Sequence, residues 1–102
     1  MNIVFYRWFE KNHDLFLRNE IVTENIRHSP EGSPVPCVTL EQESAFSLGQ
    51  ISVWETGGMD VEVVNTQSEK VILFEHHELQ VNSDFEAILG RYFEAMRTGY
   101  LS

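Results

Sequence analysis

The stretch ISVWETGGMDVEV, residues 51–63, constrains the fold most narrowly, because two alternating runs flank a pair of glycines. This pattern predicts a β-hairpin. A two-residue turn at Gly57-Gly58 would mix apolar and charged side chains on both faces, which disfavours it. A three-residue loop of residues 56–58, with a glycine at positive φ in a G1 bulge, instead pairs Val53 with Val61. We therefore predict the three-residue loop.

This register separates the side chains of the hairpin into two faces. The apolar face carries Ile51, Val53, Met59, Val61 and Val63. The polar face carries Ser52, Trp54, Asp60 and Glu62. Trp54 therefore stands among carboxylates. Either a helix or loop covers it, or it lies flat across neighbouring side chains, or it anchors a partner protein, since tryptophan is enriched among interface hot spots.

Length and charge limit the classes of protein and partner. A chain of 102 residues with 42% hydrophobic and 12% aromatic residues is long and apolar enough for one folded domain over residues 1–102. Its 16 acidic and 7 basic residues give a net charge of −9. This charge argues against nucleic acid or an anionic membrane as partner, because both require a positive surface. A basic protein fits better, although such a charge also simply keeps a small protein soluble.

The N-terminus and the cysteine content predict a cytoplasmic protein. Cys37 is the only cysteine and cannot form an internal disulfide, which suits a reducing compartment. The apolar start of the chain is interrupted at Arg7, Glu10 and Lys11 before a signal-peptide core is complete. No apolar run approaches the length of a transmembrane helix.

Hydrophobic periodicity predicts two terminal helices. An aromatic stripe at helical spacing predicts one amphipathic helix between residues 3 and 19, with its apolar face in the core; the stripe is Phe5, Trp8, Phe9, Leu15 and Phe16. Ser83 and Glu86 form a capping-box pattern that begins a last helix, which runs to about Thr98. Gly90 lies in the middle of this helix and is expected to allow close approach to the sheet or to the other helix.

Four or five strands are predicted between these helices, over residues 20–28, 37–43, 47–55, 59–65 and 71–79. The segment 29–36 holds three prolines and is predicted to be a surface loop. Short connections favour an antiparallel meander. The predicted fold class is therefore α+β, with both helices on one face of the sheet and the other face open.

The open sheet face is the predicted interaction surface, because an apolar centre with an acidic rim suits a steered protein interface. Its predicted members are Thr39, Glu41, Glu43, Gln50, Ser52, Trp54, Asp60 and Glu62, with Ile72 or Phe74 from the last strand. The predicted partner-binding residues are Trp54, Glu41, Glu43, Ser52, Asp60 and Glu62.

Patterns that would indicate catalysis or cofactor binding are weak. Adjacent His76 and His77 on a strand point to opposite faces, so one metal ion cannot readily take both. Cys37 meets only the minimal requirement for a thiol nucleophile. Carboxylates on an open sheet would be solvated rather than tuned as a general acid and base. There is no glycine-rich phosphate loop. No catalytic, cofactor-binding or metal-binding residue is therefore assigned, and no enzyme is predicted.

A more specific likeness extends over most of the chain. The N-terminal helix contains Trp8-Phe9, the hairpin region reads GQISVWETGGMDVEVV, and a final helix follows a strand ending in LFEHHEL. Together these segments resemble the TriTu immunity proteins. The most specific part of the likeness is I-x-V-W-E-x-G, carried here by Ile51, Val53, Trp54, Glu55 and Gly57.

The resemblance implies a protein that protects the producing cell by binding an antibacterial polymorphic (Rhs-type) toxin in a 1:1 complex. It implies that the toxic domain is an ADP-ribosyltransferase directed at the translation factor EF-Tu. The resemblance does not indicate which residues contact the toxin. The hypothesis about the binding site therefore depends only on the physical properties of the residues in this sequence. Either the acidic face around Trp54 docks on the cationic NAD cleft of the toxin, or the helices and the proline-rich loop cover its substrate-docking face.

Two other classes of function remain open on the sequence. Small acidic cytoplasmic proteins also serve as adaptors or chaperones for secreted effectors, and such a protein would bind an extended segment at a sheet edge. A small hydrolase or metal-dependent enzyme is the third reading. Binding to a folded toxin domain would distinguish an immunity protein from an adaptor or chaperone. A bound metal or a pocket around His76 or His77 would indicate an enzyme.

Overall fold

The computed structural model describes residues 1–101. It contains, in chain order, α1 (Asn2–Lys11), α2 (His13–Arg18), β1 (Val22–His28), β2 (Cys37–Glu43), β3 (Ser47–Trp54), β4 (Gly58–Asn65), β5 (Val71–Glu78), α3 (Phe85–Ile88) and α4 (Gly90–Thr98). Neighbouring strands pair antiparallel in consecutive order, β1-β2-β3-β4-β5. The predicted α+β meander between terminal helices is confirmed.

The core lies between one face of the sheet and the helices. Alternate residues of β2, β3 and β4 are at most 1% exposed on this face: Val38, Leu40, Ile51, Val53, Met59, Val61 and Val63. Five aromatic side chains and one methionine from the helices pack against this face: Phe5, Phe9, Phe16, Tyr92, Phe93 and Met96. Each such side chain contributes about 1.5–3 kcal/mol when it leaves water. The predicted placement of the aromatic stripe in the core is confirmed.

The predicted single helix over residues 3–19 is wrong, because the chain forms two helices that meet at Asn12. The Asn12 backbone leaves the helical region at φ −115° and ψ 23°. Its side-chain amide donates to the Trp8 carbonyl at 2.9 Å, as asparagine does where it competes with helical hydrogen bonds. The break lets both Phe9 and Phe16 reach the core, where their ring centroids lie 5.1 Å apart.

The hairpin register is shifted by two residues from the prediction. Val53 pairs with Met59 rather than Val61, so the three-residue loop is residues 55–57 instead of 56–58. The glycine at positive φ is Gly57, at 107°, and Gly57 N–H donates to the Trp54 carbonyl at 2.9 Å. A shift of two residues preserves the faces, because side chains alternate with a period of two. The predicted sorting of the hairpin into an apolar and a polar face is therefore confirmed.

The predicted start of the last helix is also wrong. Asp84, not Ser83, is the N-cap of α3, and its carboxylate accepts from the Ala87 N–H at 3.1 Å. The Ser83 hydroxyl oxygen instead accepts from the Gln80 N–H at 2.8 Å. The helical segment is then interrupted at Leu89, where φ is −88° and ψ is 7°, before α4 runs to Thr98 as predicted.

Gly90 does not allow close packing. It is exposed at the first position of α4, and a Cβ atom added there would meet nothing within 4 Å. Close approach occurs instead at Gly49 on β3, where an added Cβ would collide with the Tyr92 ring and with Met96 Sδ. Gly49 therefore leaves the space into which Tyr92 packs.

The first strand begins later than predicted. Glu20 has a φ of 63°, which ends the helical region in a left-handed residue, and β1 starts at Val22. The register of β1 against β2 shifts between Thr23 and Asn25. Residues 29–36 form the predicted surface loop, with Pro30, Pro34 and neighbouring side chains exposed. Among residues 1–101, no helix has the length and apolar character needed to cross a membrane.

Candidate functional site

The sheet face opposite the helices, here called the open face, collects the predicted interaction residues in two cross-strand rows. One row runs from Thr39 on β2 through Ser52 and Asp60 to His76 on β5. The next row runs from Glu41 through Gln50 and Glu62 to Phe74. Antiparallel pairing places side chains of one row about 5 Å apart at their Cβ atoms. The meander therefore brings together residues that are more than thirty positions apart in sequence.

Three carboxylates on the open face are engaged by cations or amides. Glu41 accepts from the Arg27 guanidinium at 3.3 Å and from the Asn25 amide at 3.0 Å. Asp60 pairs with His76 Nδ1 at 2.6 Å, and Glu78 pairs with Nε2 of the same ring at 2.6 Å. These contacts partly neutralise the β2 and β5 sides of the face.

Glu62 and Glu43, in contrast, have no hydrogen-bond or ion-pair partner among residues 1–101. Glu43 is exposed near the end of β2, and Glu62 is partly buried in the centre of the sheet. A partly buried carboxylate without a partner has lost some hydration and has gained no counter-charge in return. Glu62 is therefore the acid of the open face best placed to take a cation from a partner.

Two depressions meet at Glu62. The first, here called the Trp54 depression, has a volume of about 210 Å³ and is lined by Gln50, Ser52, Trp54, Asp60, Val61, Glu62 and Phe74. The second, here called the Leu48 depression, has a volume of about 360 Å³ and is lined by Glu24, Asn25, Glu41, Gln42, Leu48, Gly49, Gln50, Glu62 and Val64. Gln50 and Glu62 belong to both. The open face is thus concave on either side of one carboxylate.

Trp54 lies half-buried at one end of the Trp54 depression. No helix of residues 1–101 lies over it, because the helices pack on the other face. Its neighbour across the hairpin, Gly58, has no side chain; a Cβ added there would lie 3.9 Å from Trp54 Cε3 and 3.3 Å from His76 Cε1. The glycine therefore leaves room for both rings.

Phe74 lies at the other end of the Trp54 depression and is 62% exposed, whereas Ile72 packs against the core. Of the two candidates from β5, Phe74 is therefore the residue on the open face.

The structure divides the six predicted partner-binding residues. Trp54, Ser52, Asp60 and Glu62 line the Trp54 depression together, and Glu41 shares the Leu48 depression with Glu62. Glu43 lies apart, beside Val22 and Ala45 in another shallow hollow. Ser52 is only 7% exposed, and its hydroxyl lies 3.0 Å from the Thr39 hydroxyl. Ser52 therefore shapes the floor of the depression more than it offers a free polar group.

Sequence reasoning missed two apolar members of the face. Leu48 is 49% exposed and pairs with Val64 across the β3 and β4 strands. The same alternation that assigned Gln50 and Glu62 to this face also assigns Leu48, two residues before Gln50, and Val64, two residues after Glu62. The sequence pattern was therefore sufficient to find them. These side chains give the Leu48 depression its apolar wall.

The adjacent histidines of β5 do point to opposite faces, as predicted. His76 pairs with Asp60 on the open face, and His77 lies on the helix side, with Nε2 3.2 Å from Glu75 Oε1. Glu75 also accepts from Arg91 of α4 at 2.8 Å. No set of three or more His, Cys, Asp or Glu side chains within residues 1–101 has an arrangement able to hold a metal ion.

We expect the pKa of His76 to lie above its ordinary value of 6.5. The hydrogen bond to Asp60, followed by that to Glu78, favours the protonated ring. The resulting contribution to stability is fully present below pH 6.5 and is lost as the pH rises through the raised pKa of the folded state. Titration of the His76 ring protons by NMR should give the raised value. His76→Gln should reduce the free energy of unfolding more at pH 6 than at pH 9, and an equal reduction at both would contradict this assignment.

A compact α+β layer with one uncovered, largely acidic and partly apolar face is typical of a protein-binding domain. The face presents two aromatic side chains, an unpaired carboxylate and shallow depressions, which suit contact with another protein surface better than enclosure of a small molecule.

The chain belongs to the TriTu immunity protein family, whose model, described as immunity protein TriTu, matches residues 4–95. The match covers all five strands, α2 and α3, and most of α1 and α4. No curated protein sequence matches the chain. Immunity proteins act against toxins and are generally not enzymes, so membership implies a cognate toxin protein as the partner.

Proposed function

We propose that this protein neutralises, by direct 1:1 binding in the cytoplasm, an antibacterial ADP-ribosyltransferase toxin that modifies EF-Tu. The toxin would be an Rhs-type polymorphic toxin delivered by type VI secretion. Family membership supports the immunity function, and the observation that carries the proposed geometry is the concave acidic open face with the unpartnered carboxylate of Glu62 at its centre.

The proposed target of the open face is the cleft in which the toxin holds NAD. Such a cleft must bind a pyrophosphate and is therefore positively charged. Carboxylates on the open face match that charge, and the chain as a whole carries a net charge of −9. Opposite charges raise the association rate toward about 10⁸ M⁻¹s⁻¹ at low salt. Occupancy of the cleft is sufficient for inhibition, and an interface of about 800 Å² per partner suffices for tight binding.

A second geometry covers the substrate-docking face of the toxin with the helices and the proline-rich loop. It is favoured by exposed apolar side chains on the outer surface of α1, where Ile3 is 48% and Val4 is 44% exposed, and by Val35 in the loop, which is 46% exposed. The two geometries predict different effects of NAD. Excess NAD should weaken binding of a catalytically inactive toxin only if the open face occupies the NAD cleft.

An adaptor or chaperone function is supported by one observation, the free edges of the sheet at β1 and β5. Such an edge can accept an added strand from an extended segment. The two functions differ in the state of the partner. Binding to the folded toxin domain supports immunity, whereas binding only to its unfolded or signal-bearing segment supports the adaptor function.

The primary test is to co-express the chain with the toxic domain encoded beside it and to follow growth, complex formation and ADP-ribosylation of EF-Tu. Rescue of growth with a stable complex and loss of modified EF-Tu is the expected result. A stable complex without loss of modification would contradict inhibition. No rescue and no complex would overturn the proposed function.

Replacement of Trp54 by alanine should weaken toxin binding by about 2 kcal/mol or more, because a large aromatic side chain that a partner covers is a typical hot spot. Isothermal titration calorimetry measures the affinity, and circular dichroism verifies the fold. Ile3→Ala is the matched control, since Ile3 lies on α1 in the helix layer on the other side of the sheet. The opposite outcome, with Ile3→Ala weakening binding and Trp54→Ala not, would favour the helix geometry.

A further inference from the structure

We propose that the Trp54 depression receives one arginine side chain of the toxin, with its guanidinium bound to Glu62 and stacked on an aromatic ring. The inference rests on the proposed function, which it deepens by naming the chemical group that the site recognises. It assigns the centre of recognition to Glu62 and Phe74 rather than to the acidic strands in general.

The carboxylate expected to bind the guanidinium is selected by the hydrogen bonds of its neighbours. Asp60 is held by His76 at 2.6 Å, and Glu41 is held by Arg27 at 3.3 Å. Glu62 shares β4 with Asp60 and a cross-strand row with Glu41; it is partly buried and has no partner among residues 1–101. Both of its oxygens are therefore available for the paired N–H donors of a guanidinium. The Gln50 amide oxygen, beside Glu62 in the same row, is a further acceptor.

Aromatic rings at the two ends of the depression give an independent indication of a cationic ligand. Phe74 is the direct cross-strand neighbour of Glu62 and is 62% exposed, and Trp54 lines the same hollow. A cation over the face of such a ring is attracted by its quadrupole. Neither ring contacts another aromatic ring within residues 1–101. Covering Phe74 and Glu62 together would remove the apolar surface of the ring from water and give the carboxylate a counter-charge.

Arginine fits this lining better than lysine. Its guanidinium is planar, stacks on aromatic faces and donates two parallel hydrogen bonds to a carboxylate, whereas the lysine ammonium is a strongly hydrated point charge. The apolar stem of an arginine can lie along the ring of Phe74 while the head reaches Glu62. A volume of about 210 Å³ is enough for one side chain but not for a folded element.

The experiment compares Glu62→Gln with Glu43→Gln in calorimetric titrations against the cognate toxin domain. Both substitutions remove one negative charge from the open face, but Glu43 does not line the Trp54 depression. We expect Glu62→Gln to weaken binding about 10- to 100-fold, as for loss of a charged hydrogen bond, and Glu43→Gln less than about 3-fold. Phe74→Leu, which retains apolar bulk but removes the ring, should weaken binding about 2- to 5-fold.

The group on the toxin is identified by replacing its arginines one at a time with lysine. The arginine that fills the depression should show a loss that is not additive with Glu62→Gln, whereas the other arginines should add independently. Equal effects of Glu62→Gln and Glu43→Gln, with the unmodified chain still binding, would overturn the arginine site and leave the proposed function intact. Additive losses for every arginine of the toxin would also overturn it. Failure of the unmodified chain to bind would overturn the proposed function itself.

Discussion

Phe16→Ala should lower the free energy of unfolding by about 4 kcal/mol, because it empties the junction of three helices. Phe16 is 0% exposed, and its ring centroid lies 5.1 Å from that of Phe9, 5.2 Å from Phe93 and 6.0 Å from Trp8. The ring thus joins α2 to both α1 and α4. The substitution removes the free energy gained by burying the ring and also leaves a cavity in the core. Against a total stability of about 5–15 kcal/mol, this is a large fraction, and the melting temperature should fall by roughly 20 °C.

The matched control is the next residue of the same helix. Leu17 is 48% exposed, so Leu17→Ala removes a similar apolar side chain from α2 without opening the core and should cost only about 0.5 kcal/mol. Urea unfolding followed by tryptophan fluorescence measures both variants. Similar midpoints for Phe16→Ala and Leu17→Ala would contradict the position of Phe16 at the helix junction.

Gly49→Ala should reduce stability by about 3 kcal/mol, because the added methyl group occupies space that Tyr92 and Met96 already fill. The Cβ atom would collide with Tyr92 Oη and lie 2.9 Å from Tyr92 Cζ and 2.6 Å from Met96 Sδ. Met96 can shift, but the Tyr92 hydroxyl is held by its hydrogen bond to Gln42 Oε1 at 2.6 Å. Burial raises the pKa of Tyr92, so the hydroxyl stays a neutral donor at ordinary pH. Displacement of the ring would leave a buried acceptor unpaired.

Gly90→Ala is the control for the loss of a glycine, since an added Cβ there meets nothing within 4 Å. It should raise stability by about 0.4–1 kcal/mol. Combining Gly49→Ala with Tyr92→Phe should destabilise less than the sum of the two single changes, because removal of Oη relieves part of the collision. Denaturant midpoints for the four variants test this. Additive losses, or a Gly49→Ala protein as stable as the unmodified chain, would disagree with the packing around Tyr92.

Local pattern was sufficient for the composition of the core and for the faces of the sheet. The alternation of Val38 and Leu40, and of the residues around Trp54, correctly separated the core face from the open face even though the hairpin register was shifted by two residues. The aromatic spacing from Phe5 to Phe16 correctly indicated a buried face. These inferences succeeded because side-chain periodicity is a property of the backbone and does not depend on where a turn is centred.

The breaks and caps were not predictable in this way. Asn12 lies within a helical pattern of apolar residues, yet α1 ends there, where the side-chain amide of Asn12 donates to the Trp8 carbonyl. Asp84 and Ser83 are both favourable capping residues. Because α3 begins at Phe85, Asp84 is the residue that occupies the N-cap position. A cap contributes about 0.5–2 kcal/mol, whereas most of the stability of a helix comes from tertiary packing, so packing decides between two neighbouring caps.

The candidate site was determined partly by sequence and partly by tertiary structure. The acidic, tryptophan-bearing face follows from alternation alone. The likeness to the immunity family follows instead from specific sequence motifs, and the family match over residues 4–95 confirms it. The sequence alone could not show which carboxylates are neutralised, because Asp60 meets His76 and Glu41 meets Arg27 only across paired strands. By itself, the sequence determined which side chains share a face. Only the tertiary structure decided which of them are left without a partner, because cross-strand pairing sets the distances on which charge neutralisation depends.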